Sequence, residues 1–360
     1  MPISNIKSLL RPVRRKIERK ISFAVSASKL KNIDKKEIKS IPGEIRLFVK
    51  GRNESLRLPY FLDYYFSKGV DRVFLIDNNS TDDMSDIALA YKNVHVFRTE
   101  ENFTNYSNWM EILLDKYGKG HWCIAADVDE ILNYPNSDVL SIRDLSSFLD
   151  SQGETAMQCY LLDMYSDKAI QENFYKQGDD PLLSCPYFDI HFIEEEKIWK
   201  NERTQKPYLC NKITGNMRKR VFGADVSLSK ISLFKYDHNV YMGRGVHSMD
   251  GVKFSDVRGV VFHFKYLQDF NDRVVVEAAR GVYEGGAAAY KKYAGKVMQN
   301  SDLTCMYEGS VKFENNKQLI KLGLLKSNYR LDEFTGNVNT SYDDDAFNSE
   351  LIMQNEYGTV

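Results

Sequence analysis

His121-Trp122-Cys123-Ile124-Ala125-Ala126-Asp127-Val128-Asp129-Glu130-Ile131-Leu132 is the stretch whose reading decides the fold. An apolar run of strand length, residues 122–126, stops at two acids spaced Asp-x-Asp and resumes with Ile131-Leu132. Continuous apolar runs of that length belong to strands buried on both faces, as in the centre of α/β sheets. Ligands of such sheets gather outside the carboxyl ends of the strands, where Asp127 and Asp129 stand. Alternate side chains of an extended chain point the same way, so the two carboxylates can share one divalent cation, directly or through water. Hard oxygen donors select Mg²⁺ or Mn²⁺. A solvated acidic turn explains a lone Asp-x-Asp as well, so the surrounding chain has to decide.

Upstream the same logic repeats. Residues 45–49 form a short apolar strand followed by Lys50-Gly51-Arg52-Asn53-Glu54. From Ser55 a helical pattern runs through Leu58, Phe61, Leu62, Tyr65 and Phe66 and stops at Gly69. Residues 73–76 are a second strand, ending in Asp77-Asn78-Asn79-Ser80-Thr81-Asp82-Asp83. Ser80 or Thr81 is expected to cap the helix over 84–91. A strand at 94–97 and a helix over 106–117 lead to the Asp127 strand. Strands alternating with helices at this spacing predict an open, mostly parallel sheet.

Downstream the pattern is less regular. A helix is expected at 142–149 and a strand at 156–162 that runs into Asp163-Met164-Tyr165-Ser166. Residues 166–215 read as loop-rich. Further strands are expected at 218–222, 231–236 and 257–266, and helices at 269–283 and 287–298. The stretch from Asn337, with Asp343-Asp344-Asp345, reads as a tail.

The composition narrows the class. A length of 360 residues accommodates one large α/β domain with additions. With a formal net charge of −1, nothing global attracts nucleic acid, and none is expected as a partner. The five cysteines are dispersed without a Cys-x-x-Cys pair, which reads as reduced thiols of a cytosolic compartment. No apolar run has spanning length, and no secretory apolar region follows the N-terminal charges. Residues 1–40 are basic and helical in pattern, with Ile6, Leu9, Leu10, Val13, Ile17 and Ile21 recurring between Lys and Arg. Such a helix can lie on an anionic membrane surface, or be solvated or packed on a partner. Pro12 is expected to kink or restart it, and 31–39 reads as a polar linker.

Arg52-Asn53-Glu54, Asp77-Asn78-Asn79-Ser80-Thr81-Asp82 and Asp127-Val128-Asp129-Glu130 fall after the first, second and fourth strands. With Asp163-Met164-Tyr165-Ser166, Arg218-Lys219-Arg220-Val221-Phe222 and His263-Phe264-Lys265-Tyr266, they resemble the glycosyltransferase family 2-like enzymes, in a bacterial branch with DMYS-like and HFKY-like segments. The resemblance spans residues 44–285. It implies an α/β GT-A (Rossmann-like) domain with a mixed central sheet, its donor half at 44–135 and acceptor half at 136–285. A basic helix and linker (1–40) precede it, and a helical extension and tail (286–360) follow. The implied activity is metal-dependent, inverting transfer of a sugar from a nucleotide-diphosphate donor, UDP-sugar by default. The implied acceptor is a glycan or lipid-linked molecule in surface polysaccharide synthesis. Outside the resemblance, the dispersed cysteines and the basic helix give the expected location: cytoplasmic, peripheral on the inner face of the membrane through residues 1–24.

The resemblance also assigns roles. Asp127 and Asp129 would hold Mn²⁺ or Mg²⁺ on the diphosphate, where charge grows as the glycosidic bond breaks. His263 would be the third ligand, with His247 the competing candidate; a lone strand histidine is otherwise a core residue. Asp77, with Asn79, would contact the nucleoside, against a reading of Asp77 as a turn cap. Arg52, Asn53 and Glu54 would line the nucleotide pocket, and Arg218, Arg220 and Lys265 offer cations for diphosphate or an anionic acceptor. An inverting transferase needs a base on the acceptor hydroxyl; the family's acidic pair has no clean equivalent here, and Asp163 and Asp189 are the candidates. Glu194-Glu195-Glu196 reads as a solvated face. Rings at Tyr160, Tyr165, Tyr175, Tyr187, Phe188, Trp199 and Tyr208 fit an acceptor cleft or the packing of an irregular subdomain.

Three other readings compete. A nucleotidyltransferase would want a glycine-rich loop with Lys or Arg after the first strand, where only Gly51 stands. A haloacid dehalogenase-type phosphatase carries its Asp-x-Asp on the first strand. A catalytically inactive transferase-like scaffold would have no need for both acids.

Overall fold

A computed structural model describes the backbone of residues 3–336 and the side chains of 14–336 apart from residue 284. The acidic tail expected from Asn337 lies outside the described residues. The basic N-terminal segment is one helix, α1 (Ile3–Lys29), assigned straight through Pro12. The expected linker is strapped down. Its first residues form β1 (Lys31–Asn32), Asp34 accepts from Val96 N at 3.0 Å, and Lys36 Nζ donates to Tyr91 O at 2.7 Å.

The alternation that follows matches the apolar pattern closely. β2 (Ile45–Gly51) is buried throughout, and α2 (Leu58–Ser67) turns Leu58, Phe61, Leu62 and Tyr65 onto the sheet. Gly69 has φ +89°, the left-handed geometry that stops a helix. β3 (Arg72–Asp77), α3 (Met84–Ala90), β4 (Val94–Arg98), α4 (Tyr106–Tyr117) and β5 (Trp122–Asp127) complete the first half. The cap of α3 is Asp83, with Asp82 Oδ1 accepting from Met84 N at 3.2 Å, rather than Ser80 or Thr81.

In the second half come β6 (Glu130–Asn133), α5 (Ile142–Ser151), β7 (Ala156–Asp163), α6 (Pro181–Ser184) and β8 (Tyr187–Phe188). The segment expected as loops then holds a nine-pair antiparallel ribbon, β9 (Phe192–Lys200) with β10 (Pro207–Gly215). Its acids hid it: a strand standing off the sheet, exposed on both faces, shows no apolar alternation. Residues expected as a strand at 218–222 form α7 (Asn216–Phe222), which buries Met217, Arg218 and Phe222. β11 (Ser229–Lys235), β12 (Tyr241–Met242), β13 (Met249–Asp250), β14 (Phe254–His263), α8 (Phe270–Arg280) and α9 (Glu284–Gln299) follow. β15 (Val311–Lys312), α10 (Asn316–Lys321) and α11 (Tyr329–Phe334) end the described chain, adding Leu319, Leu324, Leu325 and Leu331 to the main core.

The result is an α/β, Rossmann-like fold around one nine-stranded mixed sheet of order β1-β4-β3-β2-β5-β11-β7-β14-β6. β4, β3, β2 and β5 are parallel, as are β7 and β14, whereas β11 runs antiparallel between β5 and β7. The register sets opposite one another Lys50 and Asp127, Gly51 and Asp77, and His263 and Asp163. His263 also pairs with Glu130 across β14 and β6. Gly51 is closely packed: a Cβ there would lie 3.0 Å from Val128 Cγ2 and 3.1 Å from Met84 Sδ, so both side chains would have to give way by a few tenths of an ångström.

One buried ion network joins the halves. Arg57, just before α2, donates to both oxygens of Asp269 at 2.8 and 2.6 Å and to Phe264 O at 3.0 Å. Burial opposes ionisation of Asp269, but Arg57 and then Arg273 outweigh it and hold the carboxyl below its usual 3.8. A depressed pKa stabilises the fold above the unfolded value and loses that contribution as pH falls through the folded one. Asp269→Asn is therefore expected to cost about 3 kcal/mol at neutral pH. The gap from wild type in urea unfolding should close only below pH 3.8. A gap unchanged between neutral and acid pH would show that the carboxylate charge is not what holds α2 to α8.

Candidate functional site

Chain order and strand order part company after β4. β2, β3 and β4 step outward in one direction, and the chain then returns to lay β5 on the other side of β2. The crevice beyond the carboxyl ends at such a reversal is where α/β sheets bind ligands. Lys50 and Asp127 end the two strands there, and Lys50 Nζ donates to Asp127 Oδ1. Lys50 is 7% exposed, its ammonium 5.0 Å from the centre of the Tyr106 ring at the start of α4. Burial favours the neutral amine, but Asp127 outweighs it and raises the lysine pKa. Burial likewise opposes ionisation of Asp127, yet Lys50 and then Lys230 keep its carboxyl below the usual range.

Next to this pair runs a chain of charges. Asp129 Oδ2 lies 3.2 Å from His263 Nε2, His263 Nδ1 lies 2.6 Å from Asp163 Oδ1, and Arg218 grips Asp163 with two bonds of 2.7 and 2.6 Å. Burial opposes a charge on Asp129, but His263, with Lys265 and Arg273 beyond it, holds the carboxyl well below the usual range. Burial also disfavours a charged His263, and Asp129 outweighs both it and the repulsion of Arg218, so the ring's pKa is raised. Glu130 Oε2 accepts from Asp127 N at 3.1 Å while Oε1 meets Lys230 Nζ at 2.6 Å. The turn that carries both aspartates is thus fixed from beneath.

His263 is a donor fit for a cation. A metal-ligating histidine usually gives its second ring nitrogen to a carboxylate that fixes its orientation, and Asp163 stands in that position. Among the described residues no group of three His, Cys, Asp or Glu is placed to hold a metal. Asp129 and His263 converge, whereas Asp127 is drawn to Lys50. Magnesium-type sites often take one or two protein carboxylates and fill the rest with water and substrate phosphate. His247 is not part of this convergence: its Nδ1 meets Ser229 O at 2.7 Å, and burial, helped by Lys230, pushes its pKa down to about 3.

At the carboxyl end of β3 the side chains serve the backbone. Asp77 is fully buried, accepting from Ser80 N and from Ser85 Oγ at 2.7 Å each, with Arg98 3.4 Å away. These are the bonds of a turn cap. Asn53 and Asn79 both adopt positive φ; Asn53 Oδ1 takes Thr81 N at 2.8 Å and Asn79 Oδ1 takes Arg98 at 3.0 Å. Arg52 donates to Asn78 O at 3.1 Å, and Asn78 keeps a buried Oδ1 without a hydrogen-bond partner. Glu54 pairs with Arg57 and Arg273 within the network described above.

Other candidates are committed elsewhere. Asp163 has no exposed surface and both its oxygens are bonded. Asp189 takes two bonds of 2.9 Å from Arg220 and one from Tyr165 OH, so neither acid is free to receive a proton in this arrangement. Arg220 also stacks 3.8 Å over Tyr307. Lys265 Nζ donates to Tyr290 OH at 2.9 Å, beside Asp129. The rings expected at an acceptor cleft are mostly packing groups: Tyr165, Tyr175 and Phe188 are buried, and Trp199 Nε1 and Tyr208 OH are bonded within the ribbon region. Glu194 is not a purely solvated face, since it accepts from Tyr160 OH at 2.9 Å and meets Arg258 at 3.2 Å.

A different aromatic surface lies beside Asp129. Tyr60, Ile131 and Phe264 line both a narrow slot at Asp129 and a groove of ≈ 1160 Å³. The groove continues along Tyr64, Phe313, Asn133 and Asn316. Sequence reading missed it because its walls come from α2, β6, β14 and the segment after β15. It missed Lys50 and Lys230 too, although each is a lysine within a buried, largely apolar strand, a pattern that flags buried pairing.

No family model matches the chain, and no curated protein does. Among solved structures it is similar to the crystal structure of 4-diphosphocytidyl-2C-methyl-D-erythritol synthase, at 13% identity and a TM-score of 0.25, over 39% of this chain and 67% of that one. No functional weight rests on a superposition of that quality.

The fixed turn yields a stability test. Lys230 and Glu130 have side chains 3% and 2% exposed. Lys230→Met, which strands the glutamate, is expected to cost about 3 kcal/mol in urea unfolding, and adding Glu130→Gln should recover most of it. Additive losses in the double variant would mean the two groups do not act as a pair.

Proposed function

We propose that the protein is a metal-dependent glycosyltransferase of the GT-A type, transferring sugar from a nucleotide-diphosphate donor to a glycan or lipid-linked acceptor. The observation that carries this is the position of Asp127 and Asp129 at the strand reversal, one facing Lys50 and the other a histidine that Asp163 orients. The order of the motifs along the chain, with their resemblance to family 2-like enzymes, supports the same reading.

In this reading a bound Mn²⁺ or Mg²⁺ would supply charge neutralisation for the leaving diphosphate. Asp129 and His263 would hold it, with Asp127 as the third candidate. Lys50, Lys265 and Arg273 add fixed positive charge around the same acids. Such preorganised charge counts most where water is excluded. The nucleoside would lie toward Asp77, Asn78 and Asn79, at the next strand end. The groove beside Asp129 would take the acceptor: aromatic faces suit the C–H faces of sugars, and amides their hydroxyls. Its ≈ 1160 Å³ exceeds the usual small-ligand range of about 300–1,000 Å³, which favours an acceptor of several sugar units.

A nucleotidyltransferase is the second reading, because Lys50 supplies the cation after the first strand that such an enzyme would use on phosphates. The products separate the two: a nucleoside diphosphate for glycosyl transfer, pyrophosphate for nucleotidyl transfer.

The test is calorimetric titration with a panel of nucleoside diphosphates, with and without Mn²⁺, followed by donor turnover. One nucleotide should bind only with metal, and Asp129→Asn should lower turnover by about 10²-fold or more while keeping the wild-type circular-dichroism spectrum at the assay temperature. Metal-independent binding would remove the aspartates from the diphosphate. No binding of any nucleotide would sink the transferase reading.

A further inference from the structure

The N-terminal helix has two faces with different fates. On one face Arg19 Nη2 meets Glu111 of α4 at 2.7 Å, and Ser22 and Ser26 accept from Asn108 at 2.9 and 3.2 Å. At 3.6 residues per turn, Ile17, Ile21 and Val25 fall on the opposite side of α1. They are 54%, 60% and 39% exposed, in a row with a four-residue spacing. Single exposed apolar residues need no explanation, but a continuous stripe on the outer face of a docked helix does. Lys16 and Lys20 are exposed on its flank, and Arg14 is open apart from its pair with Glu18.

Charge is concentrated on the same element. Of residues 3–29, eight are Lys or Arg and one is acidic, a net +7 within a chain of net −1, so the remainder carries −8. A second copy of this helix would bring like charges together along the stripe. No described helix is long and apolar enough to cross a membrane. A basic helix with an apolar outer stripe has the form of one that lies in the plane of an anionic bilayer, its lysine stems reaching up to the headgroups.

We propose that α1 docks the protein on an anionic lipid surface through Ile17, Ile21 and Val25, while Arg19, Ser22 and Ser26 keep it fastened to α4. The surface is separate from the strand-end site, so its failure would leave the chemistry proposed there untouched.

The experiment is co-flotation of the full chain with phosphatidylcholine vesicles, with and without phosphatidylserine, at low and physiological salt. Binding should require phosphatidylserine and weaken with salt. The triple variant Ile17→Ser/Ile21→Ser/Val25→Ser should reduce partitioning roughly tenfold or more. Lys16→Glu/Lys20→Glu should reduce it on anionic vesicles, with helix content and urea unfolding of both variants unchanged. Absent flotation, equal binding to neutral vesicles, or a triple variant that binds like wild type would each overturn the proposal. So would light scattering in which the wild type is a dimer and the triple variant a monomer, which would assign the stripe to a second copy.

Discussion

The structure depends on holding several carboxylates apart at one end of a buried sheet. Asp127 ends β5, Asp129 lies in the turn that follows, Glu130 opens β6 and Asp163 ends β7, and none could stay charged there alone. Each has a cation from a different element: Lys50 from β2, His263 from β14, Lys230 from β11, Arg218 from α7. Ion pairs of this kind add little net stability, since desolvation offsets attraction, but breaking one costs several kcal/mol. What they fix is position. The irregular second half of the chain is therefore tied to the acids that the regular first half presents.

The pairs are not equally closed. Glu130 with Lys230 and Asp163 with Arg218 are sealed, whereas the Asp127 side chain is 38% exposed over a lysine that is 7% exposed. The sealed pairs fix the frame of the turn, and the open one leaves a carboxylate over a buried ammonium at the strand reversal.

The first half of the fold was legible because each element there obeys a single rule. Continuous apolar runs became β2, β3, β4 and β5, and the 3.6-residue pattern became α2, α3 and α4. The second half broke the rules for identifiable reasons. β9 and β10 pair with each other outside the sheet, so β9 stays largely exposed and shows no apolar alternation, and α7 is too short to show a period. Among site residues, the acids and His263 were visible from strand ends. Their partners were not, because Asp163 meets Arg218 across 55 residues and Asp189 meets Arg220 across 31. The aromatic residues of 160–208 carried the right chemistry, but packing absorbed most of them, and the open aromatic groove was assembled from four separate segments.

The demand of this site is for positive charge, and the structure shows how it is met without a ligand. Asp129 is 7% exposed, and His263 Nε2, 3.2 Å away, is its nearest partner; the attraction of Asp129 raises the ring's pKa despite burial. Asp163 and Arg218 hold the ring from the other side: Asp163 Oδ1 lies 2.6 Å and Arg218 Nη2 2.9 Å from His263 Nδ1. The acid-histidine-acid order along neighbouring strands thus fixes the imidazole between two carboxylates, Asp163 sealed by Arg218 and Asp129 lining the slot beside the groove.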